Sequence, residues 1–124
     1  MLRDKSSSAI VAVSDIARAR RFYEDTLGLD LVDDTMGEVL VFRTGDTSLT
    51  VYRSDEAGSN RANAVVWSVG DAIEAITETI KAKGVAFEHY SGIGELRGDI
   101  HVSGDMKMVW FKDPDGNVLH LNSM

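Results

Sequence analysis

Short runs rich in apolar residues recur along this chain, and two longer runs with helical spacing stand among them. Short apolar or alternating runs predict β-strands, in which successive side chains point to opposite faces of a sheet. The predicted strands comprise residues 8–13, 29–32, 39–43, 48–53, 64–69, 85–89, 107–112 and 118–122.

The two helical runs resemble each other in their ends and in their apolar stripes. Apolar residues recur every three or four positions in residues 16–27 and 72–83, as expected of amphipathic helices. Ser14-Asp15 is an N-cap signal for the first helix, and Asp71 with Glu74 forms a candidate capping box for the second. A glycine follows each helix, as at many helix C-termini. The stripes consist of Ile16, Ala19, Phe22, Tyr23 and Leu27, and of Ile73, Ile76 and Ile80.

The order of elements is β-α-β-β-β in residues 8–53, and the same order starts again in residues 64–122. Residues 54–62, SDEAGSNRA, are polar and aperiodic, which is typical of a linker. The 124 residues are most simply one domain of two modules with an α+β fold. Two such sheets can curl their open faces into a shared cavity, within one chain or between two chains.

Strand parity separates the side chains beneath the helices from those on the open faces. Val11, Val65 and Trp67 have the parity of the helix side. The cavity-side positions are Ser8, Ile10 and Ala12; Ser48, Thr50 and Tyr52; Ala64, Val66 and Ser68; and Val118, His120 and Asn122. The facing of Trp110 depends on the length of the turn that follows it, and both orientations remain open.

The sequence Asp113-Pro114-Asp115-Gly116 between two apolar runs predicts a β-hairpin turn. Proline pre-sets φ at the first corner of a turn, and glycine tolerates a left-handed exit. The second strand of this hairpin carries His120 among apolar neighbours. An imidazole with an ordinary pKa of about 6.5 can act as a hydrogen-bonding group, a general acid or base, or a passive wall residue.

The composition excludes several classes of protein and partner. Twenty acidic against thirteen basic residues give a net charge of −7, which disfavours nucleic acid. No apolar run approaches the roughly 20 residues of a membrane span, and no apolar signal core follows the N-terminus, so we expect no membrane partner. The absence of cysteine excludes thiolate zinc sites and disulfides and suits a cytoplasmic protein.

Residues 91–105 are rich in glycine and predict a long irregular loop. Long loops in small domains are often lids, so closure of this loop over the cavity is one hypothesis. Its polar residues Glu95, Asp99 and His101, with His89 just before it, are interpreted as solvated loop residues rather than as a relocated metal site.

Three motifs in order resemble the vicinal-oxygen-chelate superfamily, which includes glyoxalase I, the bleomycin-resistance and fosfomycin-resistance proteins and the extradiol dioxygenases. The motifs are Val13-Ser14-Asp15-Ile16, then Phe22-Tyr23 with Leu27-Gly28-Leu29, and finally Phe111-Lys112-Asp113-Pro114-Asp115-Gly116-Asn117. The resemblance covers about residues 8–122. It implies two βαβββ modules in an open, cup-shaped mixed β-barrel with the helices outside, commonly in a dimer.

The resemblance also implies where a metal ion would be held. The superfamily's metalloenzymes place His, Glu or Gln ligands on the inward side of the first, fourth, fifth and eighth strands. These positions fall on Ser8, Thr50, Ala64 and His120. Only His120 is a good ligand, whereas a divalent ion needs three or four nitrogen or oxygen donors. We therefore expect no metal ion and no other cofactor.

The leading hypothesis is a metal-independent binding protein of the bleomycin-resistance type, a homodimer that sequesters a small aromatic or amphipathic ligand. The predicted ligand contacts are Ser8, Ile10, Thr50, Tyr52, Ala64, Val66, Trp110 and His120. The alternative is an enzyme, a lyase, isomerase or dioxygenase, that acts on a small oxygenated substrate through an atypical metal site or through His120 as acid or base. A third hypothesis is that the cavity holds nothing and the sheets serve only association.

Overall fold

The computed structural model describes residues 1–124 and has the predicted α+β architecture, with two α-helices and mixed β-sheets. The chain divides into two compact units. The first unit comprises residues 1–60 together with 114–117, and the second comprises residues 61–113 together with 118–124. Neither α-helix has the length and apolar character of a membrane-crossing helix.

The first unit contains one helix and a four-stranded sheet. Its strands are β1 (Ala9–Val13), β2 (Asp30–Asp33), β3 (Val39–Thr44) and β4 (Thr47–Arg53). The spatial order is β1-β4-β3-β2, with β1 parallel to β4 and the other pairs antiparallel. Helix α1 (Ile16–Arg21) continues through a π-helical turn, Phe22–Thr26, so the second half of the predicted helix is present in a wider form.

Helix α1 packs on one face of this sheet and contacts β3 and β4. Tyr23 and Phe42 are fully buried, with their ring centroids 5.9 Å apart. The buried strand residues on the helix side are Val11, Val13, Leu40, Phe42, Leu49 and Val51. Ile10 on the opposite face is 60% exposed, so the predicted parity of β1 is confirmed.

The predicted ends of α1 are confirmed by local geometry. The Asp15 side chain accepts a hydrogen bond from the backbone nitrogen of Arg18 at 3.0 Å, as an N-cap residue does. Gly28 ends the helical segment with φ of +71°, a conformation that favours glycine because other residues carry a Cβ.

The second unit contains the other helix and six strands. These elements are β5 (Asn63–Ser68), α2 (Ile73–Ala82), β6 (Phe87–Glu88), β7 (Glu95–Arg97), β8 (Ile100–Ser103), β9 (Met106–Lys112) and β10 (Val118–Asn122). The spatial order is β5-β10-β9-β8-β7, and β6 also pairs with β9. β5 is parallel to β10, as β1 is to β4, so both copies of the repeat use the same pairing.

The capping box predicted at Asp71 and Glu74 is wrong. A 3₁₀ turn, Gly70–Ala72, leads into α2, and the N-cap residue Ala72 has no side chain that could bond the backbone. Glu74 instead accepts a hydrogen bond from Lys107 Nζ. The ion pair with β9 therefore replaces the local cap that the spacing suggested.

The irregular loop predicted for residues 91–105 is also wrong, because this segment folds into the β7–β8 hairpin and extends the sheet beside β9. Gly94 shows how tightly it packs, since a Cβ at this position would lie 2.3 Å from the carbonyl oxygen of Val102. The lid hypothesis loses its basis, because the segment is hydrogen-bonded sheet rather than free loop.

The predicted turn at residues 113–116 joins β9 to β10 and is anchored within the first unit. Asp115 accepts bonds from the Ser14 backbone nitrogen at 3.1 Å and from Ser14 Oγ at 2.6 Å. Arg18 Nη2 donates to the same carboxylate at 3.0 Å. Asn117 Nδ2 donates to the Ala12 carbonyl at 2.8 Å. The turn is thus tied to the end of β1 and the start of α1.

Candidate functional site

The predicted ligand contacts of the first unit share the sheet face that α1 leaves uncovered. Ile10 lies opposite Thr50, and Thr50 lies opposite Val41, so the three side chains are on one face. Tyr52 follows Thr50 on that face, and Ser8 Oγ lies 2.8 Å from Ser48 Oγ. This face consists of aliphatic and hydroxyl groups around one phenol.

The predicted contacts of the second unit also share one face. His120 lies opposite Val66 on one side and Trp110 on the other. Ala64 is the exception: it is half-buried and lies at a register shift, where Val118 pairs with Asn63 and Leu119 with Val65, so its facing does not follow from strand parity. The rings of Trp110 and His120 are stacked, with centroids 4.6 Å apart and planes at 21°. The structure therefore settles the orientation of Trp110, which points to the same side as His120.

Trp110 is surrounded by further rings that the sequence analysis did not assign to the site. His101 lies 5.1 Å and Tyr90 5.4 Å from Trp110, both edge to face. We call Tyr90, His101, Trp110 and His120 the aromatic cluster. Trp110 and His120 are 7% and 8% exposed and His101 is fully buried, whereas Tyr90 is 38% exposed.

His101 was therefore wrongly interpreted as a solvated loop residue. It lies on β8 opposite Met108, which places it on the face of Trp110. A signal for this strand exists in the sequence. Gly98-Asp99 forms a two-residue turn between Arg97 and Ile100, and such dipeptides between alternating apolar residues favour a β-hairpin.

Hydrogen bonding fixes the proton position on His120. Nδ1 lies 3.0 Å from the carbonyl oxygen of Val109. Because a carbonyl only accepts, Nδ1 carries the proton of the neutral ring and Nε2 carries the lone pair. Burial lowers the pKa of His120 below its usual value, although the bond to Val109 opposes this shift. His120 is therefore neutral at pH 7.

The functional atoms of the stacked pair have no partner in the protein. No protein group bonds His120 Nε2 or the indole nitrogen of Trp110, and neither atom is sealed from solvent. The buried side-chain atoms that lack a partner are elsewhere, at Arg18 Nε, Thr77 Oγ1 and His101 Nδ1. The pair thus offers one acceptor and one donor that no protein group occupies.

The other two imidazoles are anchored to neighbouring groups. His101 Nε2 accepts a hydrogen bond from the Tyr90 backbone nitrogen at 3.0 Å and lies 3.2 Å from the Tyr90 carbonyl oxygen. His89 Nε2 lies 2.8 Å from Asp99, which also pairs with Lys81 at 2.9 Å. The bonds from Lys81 and His89 lower the pKa of Asp99. His89 therefore belongs to a surface ion-pair network.

The sequence model of the glyoxalase/bleomycin resistance protein/dioxygenase superfamily matches residues 6–121. The chain belongs to this superfamily. Virulence protein STM3117 of Salmonella typhimurium (strain LT2) is similar in sequence, 25% identical over 126 aligned positions that cover 98% of this chain and 85% of that protein.

Solved structures support the same superfamily fold. Lactoylglutathione lyase from Agrobacterium tumefaciens has a TM-score of 0.71 at 17% identity, covering 94% of this chain and 91% of that one. The fosfomycin resistance protein FosX from Mesorhizobium loti has a TM-score of 0.71 at 17% identity, with 100% and 94% covered. UcmS2 has a TM-score of 0.76 at 21% identity, with 98% and 99% covered. At these identities the likeness shows the fold alone.

The residues at the superfamily's metal-ligand positions do not fit a metal ion. Ala64 offers a methyl group, and Ser8 and Thr50 offer neutral hydroxyls, which bind transition metals weakly. His120 alone provides a strong donor. The structure also contains no group of three or more His, Cys, Asp or Glu side chains that could hold a metal ion.

A polar cavity of about 300 Å³ lies at the start of α2 and shares no residue with the aromatic cluster. Its walls include Asp71, Glu74, Asp105 and Lys107. Because Lys107 is already paired with Glu74, this cavity is lined mainly by acidic and backbone groups. None of the predicted ligand contacts lies there.

Proposed function

We propose that this protein binds a small aromatic or amphipathic molecule without a metal ion, at the second-unit face that carries Val66, Trp110 and His120. The observation that carries the proposal is the stacked Trp110–His120 pair, in which His120 Nε2 and the Trp110 indole nitrogen have no protein partner. Apolar pockets with a few well-placed polar groups are the usual form of small-molecule sites.

Two further features support binding at this face. Val66 is 55% exposed and lies next to His120, so a ligand there covers apolar surface that water now contacts. The edge of Tyr90, also partly exposed, borders Trp110. On the first unit, the predicted ligand contacts remain one aliphatic residue and three hydroxyl residues, namely Ile10, Ser8, Thr50 and Tyr52.

Tryptophan fluorescence tests the proposal. In Trp67→Phe protein the emission comes from Trp110 alone, so a ligand at this face changes it directly. We expect saturable quenching by compounds of the naphthalene type. The matched control is Trp110→Phe, in which Trp67 remains as reporter on the helix side of the sheet and should not respond. No saturable change in Trp67→Phe protein would overturn the proposal.

Metal independence has its own test. Elemental analysis of protein purified without chelator should find no stoichiometric transition metal, and EDTA should leave the ligand affinity unchanged. Loss of binding in EDTA with recovery on adding one divalent metal would contradict the metal-free site.

One observation also favours a second candidate, in which His120 is a general base acting on a small oxygenated substrate. Its Nε2 is unprotonated at neutral pH and held in one tautomer by Val109, as a base requires. The candidates separate in His120→Gln protein. An enzyme loses turnover by about 10²-fold or more, whereas a binding protein loses only part of its affinity.

A further inference from the structure

The fixed tautomer of His120 restricts which ligands its ring can recognise. The Val109 carbonyl holds the proton on Nδ1, so Nε2 presents a lone pair to the outside. A ligand hydroxyl or N–H can donate to this atom. A carboxylate, ether or carbonyl oxygen cannot, because it would bring a second lone pair against the first.

The charges on this face also disfavour an anionic ligand. Lys112 has the parity of Trp110, but it pairs with Glu88 at 3.3 Å. Glu88 itself lies opposite Trp110, so the nearest ion pair already contains its own anion. The cation that shares the parity of Trp110 on β9 is therefore already paired, which disfavours its use in replacing the water that a bound carboxylate or phosphate would lose.

The indole nitrogen of Trp110 supplies the complementary group. It donates to no protein atom and is not among the fully buried atoms that lack a partner, so it is a candidate donor to an oxygen of the ligand. A hydroxyl group on an aromatic ring offers both complements, because its oxygen accepts while its O–H donates.

We infer that the ligand bound at this face is an uncharged aromatic compound with a hydroxyl group, a phenol or naphthol in class, whose O–H donates to His120 Nε2. This inference rests on the proposed function and specifies the chemistry of its ligand. In this inference, His120 favours neutral hydroxyl compounds over anionic compounds. The surrounding rings recognise the shape of the ligand.

A series of matched compounds tests the inference by isothermal titration. 2-Naphthol, 2-methoxynaphthalene and 2-naphthoate share one ring system, and phenol, anisole and benzoate repeat the series at smaller size. We expect the hydroxyl compound of a series to bind about three- to tenfold more tightly than its methyl ether, the usual strength of one hydrogen bond. The carboxylate should bind more weakly than the hydroxyl compound.

Variants at His120 test whether this residue causes the preference for the hydroxyl compound over its methyl ether. In His120→Phe protein the hydroxyl compound and its ether should bind equally, because the acceptor is gone. In His120→Gln protein the amide oxygen can still accept, so part of the preference should return. If His120→Phe does not fold, the nitrogen-15 NMR shift of His120 Nε2 in the unaltered protein gives the same information, since accepting a hydrogen bond moves it.

The possible outcomes separate the two proposals. Equal binding of the hydroxyl compound and its ether would overturn this inference and leave the proposed binding function intact. Tightest binding of the carboxylate would likewise overturn it. Absence of binding by all six compounds, with no change in Trp110 fluorescence, would overturn both.

Discussion

The open faces of the two sheets have the same backbone pairing and different chemistry. In the first unit, the row across β1, β4 and β3 reads Ile10, Thr50 and Val41. In the second unit, the matching row across β5, β10 and β9 reads Val66, His120 and Trp110. Both rows run from a parallel pair into an antiparallel pair, so the repeat preserves the scaffold while the side chains differ.

This comparison shows where functional specialisation lies in the repeat. The first and last positions of the two rows are apolar in both units, and the central position changes from a hydroxyl to an imidazole. The second unit also has the β7–β8 hairpin, which the first unit lacks and which places His101 against Trp110. The second face therefore differs from the first by an imidazole at the central position, an indole at the last position and one added hairpin.

The largest expected loss of stability comes from removing the Trp110 ring from the row of the second unit. Trp110→Ala removes a 7% exposed ring that contacts three others, so the free energy of unfolding should fall by about 3–5 kcal/mol. Val41→Ala, at the matching position, removes two methyl groups from a half-buried side chain and should cost about 1 kcal/mol. Urea denaturation measures both values. Equal losses would show that the two faces are energetically alike.

The next largest loss of stability is expected from a substitution that disturbs the packing of the β7–β8 hairpin. Gly94→Ala places a Cβ against the backbone of Val102 and also strains a residue at φ of +58°, so we expect a loss of about 2–4 kcal/mol. Gly92→Ala is the matched control, because its φ of +84° is equally left-handed but nothing lies near its Cβ. Its loss should be about 1–2 kcal/mol. The difference in thermal or urea denaturation isolates the packing of the hairpin.

The sequence predicted the parts of the fold that depend on local pattern. Strand parity correctly separated Val11 from Ile10, and Asp15 and Gly28 correctly marked the ends of the first helical segment. The capping box predicted at Asp71 and Glu74 does not form, because the Glu74 carboxylate accepts a hydrogen bond from Lys107, thirty-three residues away along the chain. The spacing of residues along the chain does not reveal such a tertiary partner.

The candidate site was predicted in part for the same reason. His120 and Val66 follow from parity within single strands, and the structure places them side by side. His101 and Tyr90 could not be placed, because their proximity to Trp110 depends on how β8 and β6 both pair with β9. The Gly98-Asp99 turn signal marks the β7–β8 hairpin, but it does not indicate that β8 pairs with β9.

The hairpin turn provides a third test, because it belongs to the first unit although its strands lie in the second. Asp115→Ala leaves Ser14 and Arg18 without their acceptor and should cost about 2 kcal/mol at pH 7. Asp34→Ala is the control, since its ion pair with Arg20 is exposed and should contribute less than about 1 kcal/mol. Chemical denaturation of both variants measures the difference.

The pH dependence of the Asp115 effect has a definite sign. Burial raises the pKa of this carboxyl, but the bonds from Ser14 and the ion pair with Arg18 outweigh burial and hold it below the ordinary 3.8. Its stabilising contribution is therefore complete above pH 3.8 and is lost as the pH falls through the folded-state value. The gap between the original protein and the variant should narrow in acid. A gap that widens in acid would contradict the anchored carboxylate.

The smallest expected effect is a difference in how the free energy of unfolding depends on pH between variants at the two central positions, His120 and Thr50. Burial lowers the folded-state pKa of His120, so the unfolded chain binds a proton first as the pH falls. The contribution of the neutral ring is complete above about pH 6.5 and declines below it, with a slope of at most about 1.4 kcal/mol per pH unit. The free energy of unfolding should thus fall less between pH 7 and pH 5 in His120→Gln protein.

Thr50 is the control for this titration, because its hydroxyl does not ionise in that range. Thr50→Val should shift the free energy of unfolding by a constant amount from pH 7 to pH 5, leaving the profile parallel to that of the original protein. An NMR titration of the His120 ring measures the same pKa directly. A His120 pKa above the ordinary value would mean that the ring is charged when folded, and the lone pair on Nε2 that distinguishes the second face would be lost at neutral pH.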